Sequence, residues 1–289
     1  MPPLMHAESE SWGLMVSLTL LMVCAAALYL RGWLQLRPAS PNIVPTWRAV
    51  CFLLGLLLTW IAVATPIAVS DLRMLTGHMV QHLLLMTFAP PLIWLGAPVM
   101  PLLYGLPQRY INPVIQSADW SPAQGLGTVL GSPAFAWLAA AAALVAWHVP
   151  ALFRLGMESQ GWHLFEHATF FVTGMLFWWP VVQPWPSVAR WPRWTMILYL
   201  FFATLPCDVL SALLVFSDRI AYPMYLRMPG HAGLSVIEDQ QCAGALMWTC
   251  VTVVFLIAAT IVAMQLLSPR RSHGDGTPRQ ENPRFAEAI

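Results

Sequence analysis

Apolar residues along this chain gather into seven long runs, separated by short links that contain proline, glycine and arginine. Each run approaches the roughly 20 residues that an α-helix needs to cross about 30 Å of hydrocarbon. The pattern predicts seven transmembrane helices, near residues 12–30, 47–69, 76–98, 133–152, 162–182, 194–216 and 241–267. Pro90 and Pro91 fall in the middle of the third run, where they should kink the helix and free carbonyl groups that a neighbouring helix must satisfy.

Composition supports this fold class. Hydrophobic residues make up 58% of the chain and charged residues only 9%, against about a quarter charged in soluble domains. The net charge is +1 and lysine is absent, so no basic patch for nucleic acid is expected. The five cysteines form no C-x-x-C pair, which argues against a zinc ribbon or a disulfide framework. We expect an all-α polytopic membrane protein within the lipid bilayer, followed by a disordered tail over residues 268–289.

The distribution of arginine predicts the orientation. The first, third and fifth links and the C-terminal tail contain ten arginines: Arg31, Arg37, Arg48, Arg109, Arg190, Arg193, Arg270, Arg271, Arg279 and Arg284. The other links contain four: Arg73, Arg154, Arg219 and Arg227. The positive-inside rule therefore predicts an outer N-terminus and a cytoplasmic C-terminus. The acidic N-terminus lacks the basic lead of a secretory signal, so the first run is expected to be a true span.

Two pairs of histidines carry the candidate chemistry. His78 and His82 open the third run, and His163 and His167 open the fifth. Residues four apart lie on one face of a helix, with roughly 5–6 Å between Cβ atoms, so each pair can offer two nitrogens to one metal ion. With His148 at the end of the fourth run, all five fall in the predicted outer leaflet, where polar side chains usually face the bundle interior.

Further donors are expected in the same layer. Oxygen and sulfur side chains there could ligate a metal or orient the imidazoles, although each one alone is more often a solvated or packing residue. The candidates are Asp71, Glu166, Asp239, Cys207, Met79, Met157 and Met247. Thioethers beside imidazoles favour copper, especially Cu(I), over calcium or magnesium.

Several motifs together resemble the bacterial CtaG family of cytochrome c oxidase assembly proteins, over about positions 47 to 267. The motifs are Gly77-His78-Met79-Val80-Gln81-His82-Leu83-Leu84-Leu85, Ala89-Pro90-Pro91-Leu92, Gly96-Ala97-Pro98, Trp147-His148-Val149-Pro150, His163-Leu164-Phe165-Glu166-His167, Phe177-Trp178-Trp179-Pro180 and Glu238-Asp239-Gln240-Gln241. Leu205-Pro206-Cys207-Asp208 departs from the family pattern, in which a small residue is expected after Leu-Pro.

The resemblance implies a copper-handling assembly factor in the bacterial cytoplasmic (inner) membrane. Its expected partner is a subunit of cytochrome c oxidase or another copper chaperone. A carrier of this kind needs imidazole and sulfur ligands but no nucleophile or general base, so enzymatic activity is not expected.

Two other functions stay open at this point. His163-x-x-Glu166-His167 matches the H-x-x-E-H pattern of zinc proteases, in which Glu166 would activate a zinc-bound water of an intramembrane hydrolase. Alternatively, His82 and His167 on facing helices could be the axial ligands of a haem in a membrane redox protein.

Overall fold

The computed structural model of the chain describes residues 3–38, 40–64, 74–107, 109–111, 113, 129–184, 191–227 and 233–268, and this described part is helical without strands. Its helices are α1 (Pro3–Leu36), α2 (Thr46–Ala64), α3 (Leu75–Leu83), α4 (Ala89–Leu95), α5 (Val99–Gly105), α6 (Pro133–His148), α7 (Pro150–Glu158), α8 (Gln160–Val182), α9 (Thr195–Phe216) and α10 (Val236–Leu267). A five-residue π-helix, Leu84–Phe88, joins α3 to α4, and a short 3₁₀ helix covers Pro223–Arg227.

Four of these helices are long and apolar enough to cross a membrane: α2, α9, α10 and the Met15–Leu36 part of α1. The number rises to six if two bent pairs each count as one span, namely Leu75–Leu95 with α5 and α6 with α7. The fifth predicted stretch, 162–182, coincides with α8, which is 23 residues long but is not among the candidate spans. The count of seven and the orientation of the termini therefore stay predictions, and the predicted tail, apart from Ser268, lies outside the described residues.

The proline pair of the third run interrupts regular helix geometry. The π-helix precedes it, and the Ala89 amide donates to the carbonyl of Leu84 instead of that of Leu85. Pro90 cannot donate to the carbonyl of Met86, its partner four residues back. That carbonyl accepts a hydrogen bond of 3.1 Å from the indole Nε1–H of Trp178 on α8. The expectation that a neighbouring helix would satisfy a freed carbonyl is confirmed.

The fourth run contains a sharper break than its length suggests. Because a residue before proline is disfavoured in the α region, Val149 adopts an extended conformation ahead of Pro150. The chain turns by 77° between α6 and α7. The straight helix therefore ends at His148, four residues before the end of the predicted span 133–152. This bend brings α7 against the beginning of α8.

Helix packing surrounds the histidine-bearing segments. α8 contacts α4, α6, α7 and the π-helix, and α10 packs along both α9 and α3. Gly174 of α8 allows the close approach to the π-helix, because a Cβ at this position would lie 2.9 Å from the Cα of Met86. The beginnings of α3 and α8 and the end of α6 therefore meet in the interior of the helix bundle.

Candidate metal centre

The first part of the centre is built by α3 alone. His78 and His82 lie on one face of this helix, four residues apart, with ring centroids 4.1 Å from each other. Both are buried, His78 completely and His82 to all but 6% of its surface. Phe153 and Phe170 contact the two rings at centroid distances of 4.9 and 4.2 Å. Packing on both rings restricts their rotation and keeps the two imidazoles together.

A carboxylate from α8 completes the cluster. Glu166 is fully buried, and its Oε1 lies 3.4 Å from Nε2 of His78 and 3.3 Å from Nε2 of His82. One ligand atom from each of the three residues lies within 4.8 Å of the others. Two imidazole nitrogens and a carboxylate oxygen at this spacing can converge on a single metal ion.

The room for this carboxylate comes from α7. A Cβ built on Gly156 would lie 2.7 Å from Oε2 of Glu166. Every other residue would therefore displace the carboxylate or the helix. No sequence pattern predicts this role, because Gly156 meets Glu166 only through the 77° turn that precedes α7.

Several polar atoms of the cluster are buried without the partners that such atoms normally have. Apart from the contacts of Glu166 Oε1 with His78 and His82, no hydrogen bond within the described residues reaches either ring nitrogen of His82 or either oxygen of Glu166. Buried polar groups in proteins nearly always have a hydrogen-bond partner. Burial of such a group in apolar surroundings without a partner costs free energy. A bound cation would satisfy one ring nitrogen of His82 and one oxygen of Glu166 together.

The other three predicted histidines border the cluster. Ring centroids are 5.8 Å apart for His78 and His163, 6.0 Å for His82 and His167, and 6.3 Å for His82 and His148. His148 and His167 are buried, and His163 is half-buried. All five histidines that the sequence singled out therefore meet at one place, although they come from three helices.

His148 is held in one tautomer by its own helix. Its Nδ1 lies 2.7 Å from the carbonyl oxygen of Leu144, a distance at which the ring nitrogen must donate. The lone pair is therefore on Nε2, which is buried and makes no hydrogen bond within the described part of the chain. The Tyr222 hydroxyl donates to the His148 carbonyl over 3.0 Å, and burial raises the pKa of Tyr222, which keeps this hydroxyl protonated.

Asp239 supports the centre without contacting an imidazole. This fully buried carboxylate on α10 accepts hydrogen bonds from the amides of Leu75 (2.7 Å) and Thr76 (3.2 Å) and from the Thr76 hydroxyl (2.6 Å). These amides are among the donors that the first turn of a helix leaves without an intrahelical partner. Asp239 thus caps α3 from another helix, a role different from the orientation of imidazoles that we expected.

The sequence also missed two glutamines that fix the surrounding segments. Gln81 of α3 is fully buried and donates through Nε2 to the Ala62 carbonyl at the end of α2. Gln240 of α10 accepts from the Ala221 amide and donates to the carbonyls of Leu214 and Arg219. Their positions beside His82 and Asp239 in the chain were the available signal, because an amide in an apolar run requires a buried partner.

The sulfur candidates separate into two groups. Met79, Met247 and Cys207 line an internal cavity of about 50 Å³ that His82 and His148 also border. Met157 of α7 packs against the hydrophobic core and is not part of the cavity wall. Asp71 lies outside the described residues.

Comparison with known proteins decides the family. The family model described as the cytochrome c oxidase caa3 assembly factor matches residues 27–268. The chain belongs to this family. The match includes His78, His82 and Glu166, so the histidine and glutamate cluster lies within the region that defines the family.

Curated relatives of this family member are longer proteins. The chain is 25% identical over 263 residues to an uncharacterised protein of Mycobacterium leprae and 26% identical over 246 residues to uncharacterised proteins of Mycobacterium bovis and Mycobacterium tuberculosis. These alignments cover 85% and 83% of this chain and 37% of each relative, so the chain spans little more than a third of their length. No solved structure matches the chain.

Proposed function

We propose that this caa3 assembly factor binds monovalent copper at His78, His82 and Glu166, and supplies it to a subunit of cytochrome c oxidase in the bacterial cytoplasmic membrane, directly or through another copper chaperone. The observation that carries the proposal is the convergence of three buried ligand atoms within 4.8 Å. An assembly factor for a haem-copper oxidase has a use for such a site, because the oxidase requires copper before it is active.

Charge favours a monovalent ion. Glu166 is the carboxylate of the cluster, and the other fully buried carboxylate of the described residues, Asp239, is occupied with the amides of α3. Cu(I) with one carboxylate and neutral imidazoles is electrically neutral. A divalent ion would leave a net positive charge in a buried, low-dielectric site, which is costly. Imidazole nitrogen is also a suitable ligand for copper.

A zinc hydrolase is the second candidate, because two histidines and a glutamate also form the ligand set of catalytic zinc sites. The geometry does not favour it. In an H-x-x-E-H site the glutamate activates water and the two histidines of the same motif bind zinc. Here Glu166 contacts His78 and His82 of a different helix, so its oxygen would act as a metal ligand beside their nitrogens. The described residues offer no second carboxylate at the cluster that could serve as the base.

Haem is less well suited to the space available. Cofactor pockets usually measure about 300–1,000 Å³, and the cavity beside His82 measures about 50 Å³. The side chain of Glu166 also extends from α8 toward α3, where it lies close to both imidazoles. A single ion fits this arrangement without displacement of the helices.

Complementation in a bacterial host tests the proposed function. A strain that lacks its own gene should regain caa3-type oxidase activity and a full copper content of the oxidase with the wild-type chain. The variant His78→Ala, His82→Ala should give a copper-poor oxidase and less than a tenth of the activity, and excess copper in the medium should restore part of it. The control is Leu198→Ala, Phe202→Ala, an exposed pair with the same spacing on α9.

The outcome that contradicts the proposal is a copper-replete, active oxidase in cells whose only copy of the chain is the double histidine variant. Immunodetection in the membrane fraction must show that both variants accumulate to the wild-type level. A loss of oxidase activity with unchanged copper content would also contradict copper delivery.

A further inference from the structure

A cavity adjoins the histidine and glutamate cluster. Its volume is about 50 Å³, and it lies between α3, the π-helix, α6, α8, α9 and α10. Four sulfur-containing residues line it, namely Met79, Met86, Met247 and Cys207. The rest of its wall is almost entirely hydrophobic, and His82 and His148 form the side nearest the cluster.

We propose that this cavity is a second copper position, in which Cys207, Met79 and Met247 hold a monovalent ion beside the His78–His82–Glu166 cluster. The inference rests on the proposed function and adds a position that the cluster itself does not include. Thiolate and thioether sulfur are soft ligands that select Cu(I) over harder or divalent ions.

The three sulfur side chains come from three helices, and all three are buried. Their exposed fractions are 1% for Met79, 2% for Cys207 and 4% for Met247. Sγ of Cys207 lies 3.8 Å from the Ser211 hydroxyl and 4.0 Å from the backbone oxygen of Met247, so α9 and α10 meet at this wall. A free thiol buried this deeply is shielded from oxidants.

His148 independently indicates a ligand in the cavity. Its ring borders the cavity, and Nδ1 is committed to the Leu144 carbonyl. The remaining nitrogen, Nε2, carries the lone pair and is buried with no hydrogen bond in the described part of the chain. A cation in the cavity would give this acceptor its missing partner.

Size and charge are consistent with one ion. A cavity needs about 10–15 Å³ to hold a water molecule, so about 50 Å³ accommodates one ion and leaves no space for an organic cofactor. When Cys207 binds the metal, its thiol proton is released to solvent. Cu(I) with one thiolate is neutral, whereas a divalent ion would leave an uncompensated charge among hydrophobic residues, which is costly.

The two positions share a residue. His82 contacts Glu166 in the cluster and also borders the cavity. An ion can therefore exchange ligands at His82 and move between the nitrogen and oxygen position and the sulfur position without release to water. This exchange suits a protein that holds copper and then transfers it.

Copper titration of the purified full-length chain tests the inference. Under anaerobic conditions, with a chromophoric Cu(I) chelator as competitor, the wild type should bind two Cu(I) per chain. Cys207→Ser with Met247→Leu should bind one, without copper–sulfur scattering in the X-ray absorption spectrum. The matched control, Cys242→Ser with Met264→Leu, changes the same residue types at exposed positions of α10 and should bind two.

A second variant protects the test against loss of the fold. Met79→Leu nearly conserves side-chain volume, and it should lower the affinity for the sulfur-bound equivalent at least tenfold while the other equivalent is unchanged. Retention of two Cu(I) and of sulfur scattering in the Cys207→Ser, Met247→Leu variant would overturn the inference. So would a wild type that binds one Cu(I) through nitrogen and oxygen alone, and this result would leave the proposed function intact. A wild type that binds no copper at all would overturn both.

Discussion

Glu166 is the residue on which the chemistry of the centre depends most. Both imidazoles of α3 approach its Oε1, and Gly156 leaves the space that its Oε2 occupies. In the proposed complex it would supply the negative charge that neutralises a monovalent ion in the buried site. Its contacts identify it as a ligand candidate, whereas an orienting partner would lie behind an imidazole and contact the nitrogen that faces away from the metal.

The variant Glu166→Gln separates these two roles. Loss of an orienting partner typically lowers metal affinity 10- to 100-fold. Loss of a charged ligand should have a larger effect than that range. We therefore expect Glu166→Gln to lower the Cu(I) affinity more than about 100-fold relative to the wild type. Competition titration measures the difference, with Glu158→Gln as the control because Glu158 is exposed at the end of α7. An affinity for Glu166→Gln within tenfold of the wild type would exclude Glu166 from the ligand set.

Local spacing explains which residues of the site the sequence could reveal. His78 and His82 needed only the helical period, since residues four apart share a face. The same argument pairs His163 with His167, but it gives no information on which helix Glu166 faces. That contact depends on the packing of α8 against the π-helix and the bent segment α7. The role of Gly156 was also unpredictable from local spacing, because Gly156 approaches Glu166 only after the chain has turned at Val149.

At the scale of helices, α10 holds the beginning of α3 in place and so positions His78 and His82. The N-terminal amides of α3 have no partner within their own helix, and Asp239 accepts hydrogen bonds from two of them. α10 itself begins at Ser235 with a capping box, in which the Ser235 hydroxyl accepts from the Glu238 amide and the Glu238 carboxylate from the Ser235 amide. One helix therefore begins with a local cap and also supplies the cap of another.

The variant Asp239→Asn tests this cap. The amide retains the size of the side chain but removes the charge and one of the two acceptor oxygens, so a buried donor of α3 loses its partner. We expect a loss of about 1–3 kcal/mol in the free energy of unfolding, together with weaker metal binding because His78 and His82 follow the cap by one to two turns. Glu238→Gln is the neighbouring control, since glutamine also serves in a capping box. Thermal unfolding in detergent that shows equal stability for both variants would contradict the role of Asp239.

At the scale of the whole molecule, the apolar runs anticipated the helices well. Each of the seven stretches contains a helix, because length and hydrophobicity dominate the structure of a chain in lipid. The breaks were harder to predict. Pro150 converts the fourth run into two helices at 77°, whereas Pro90 and Pro91 remain within a nearly continuous helix, because Trp178 satisfies the carbonyl that Pro90 leaves free. The outcome at a proline depends on a partner from another helix, which the local sequence does not specify.

The two proposed copper positions, the cluster and the cavity, also depend on the whole bundle. The cluster combines α3 with α8, and the cavity adds residues of α6, α9 and α10. Only in the folded bundle are the histidines, the carboxylate and the sulfur side chains neighbours. Metal content should therefore depend on an intact bundle and on a few residues within it.

X-ray absorption of the full-length chain, purified after growth in copper-replete medium, tests the central claim most directly. We predict bound copper in the monovalent state, with imidazole scattering that disappears in the variant His78→Ala, His82→Ala. The exposed pair Leu198→Ala, Phe202→Ala should leave the spectrum unchanged. Full occupancy by zinc with no copper would contradict the account and favour the hydrolase.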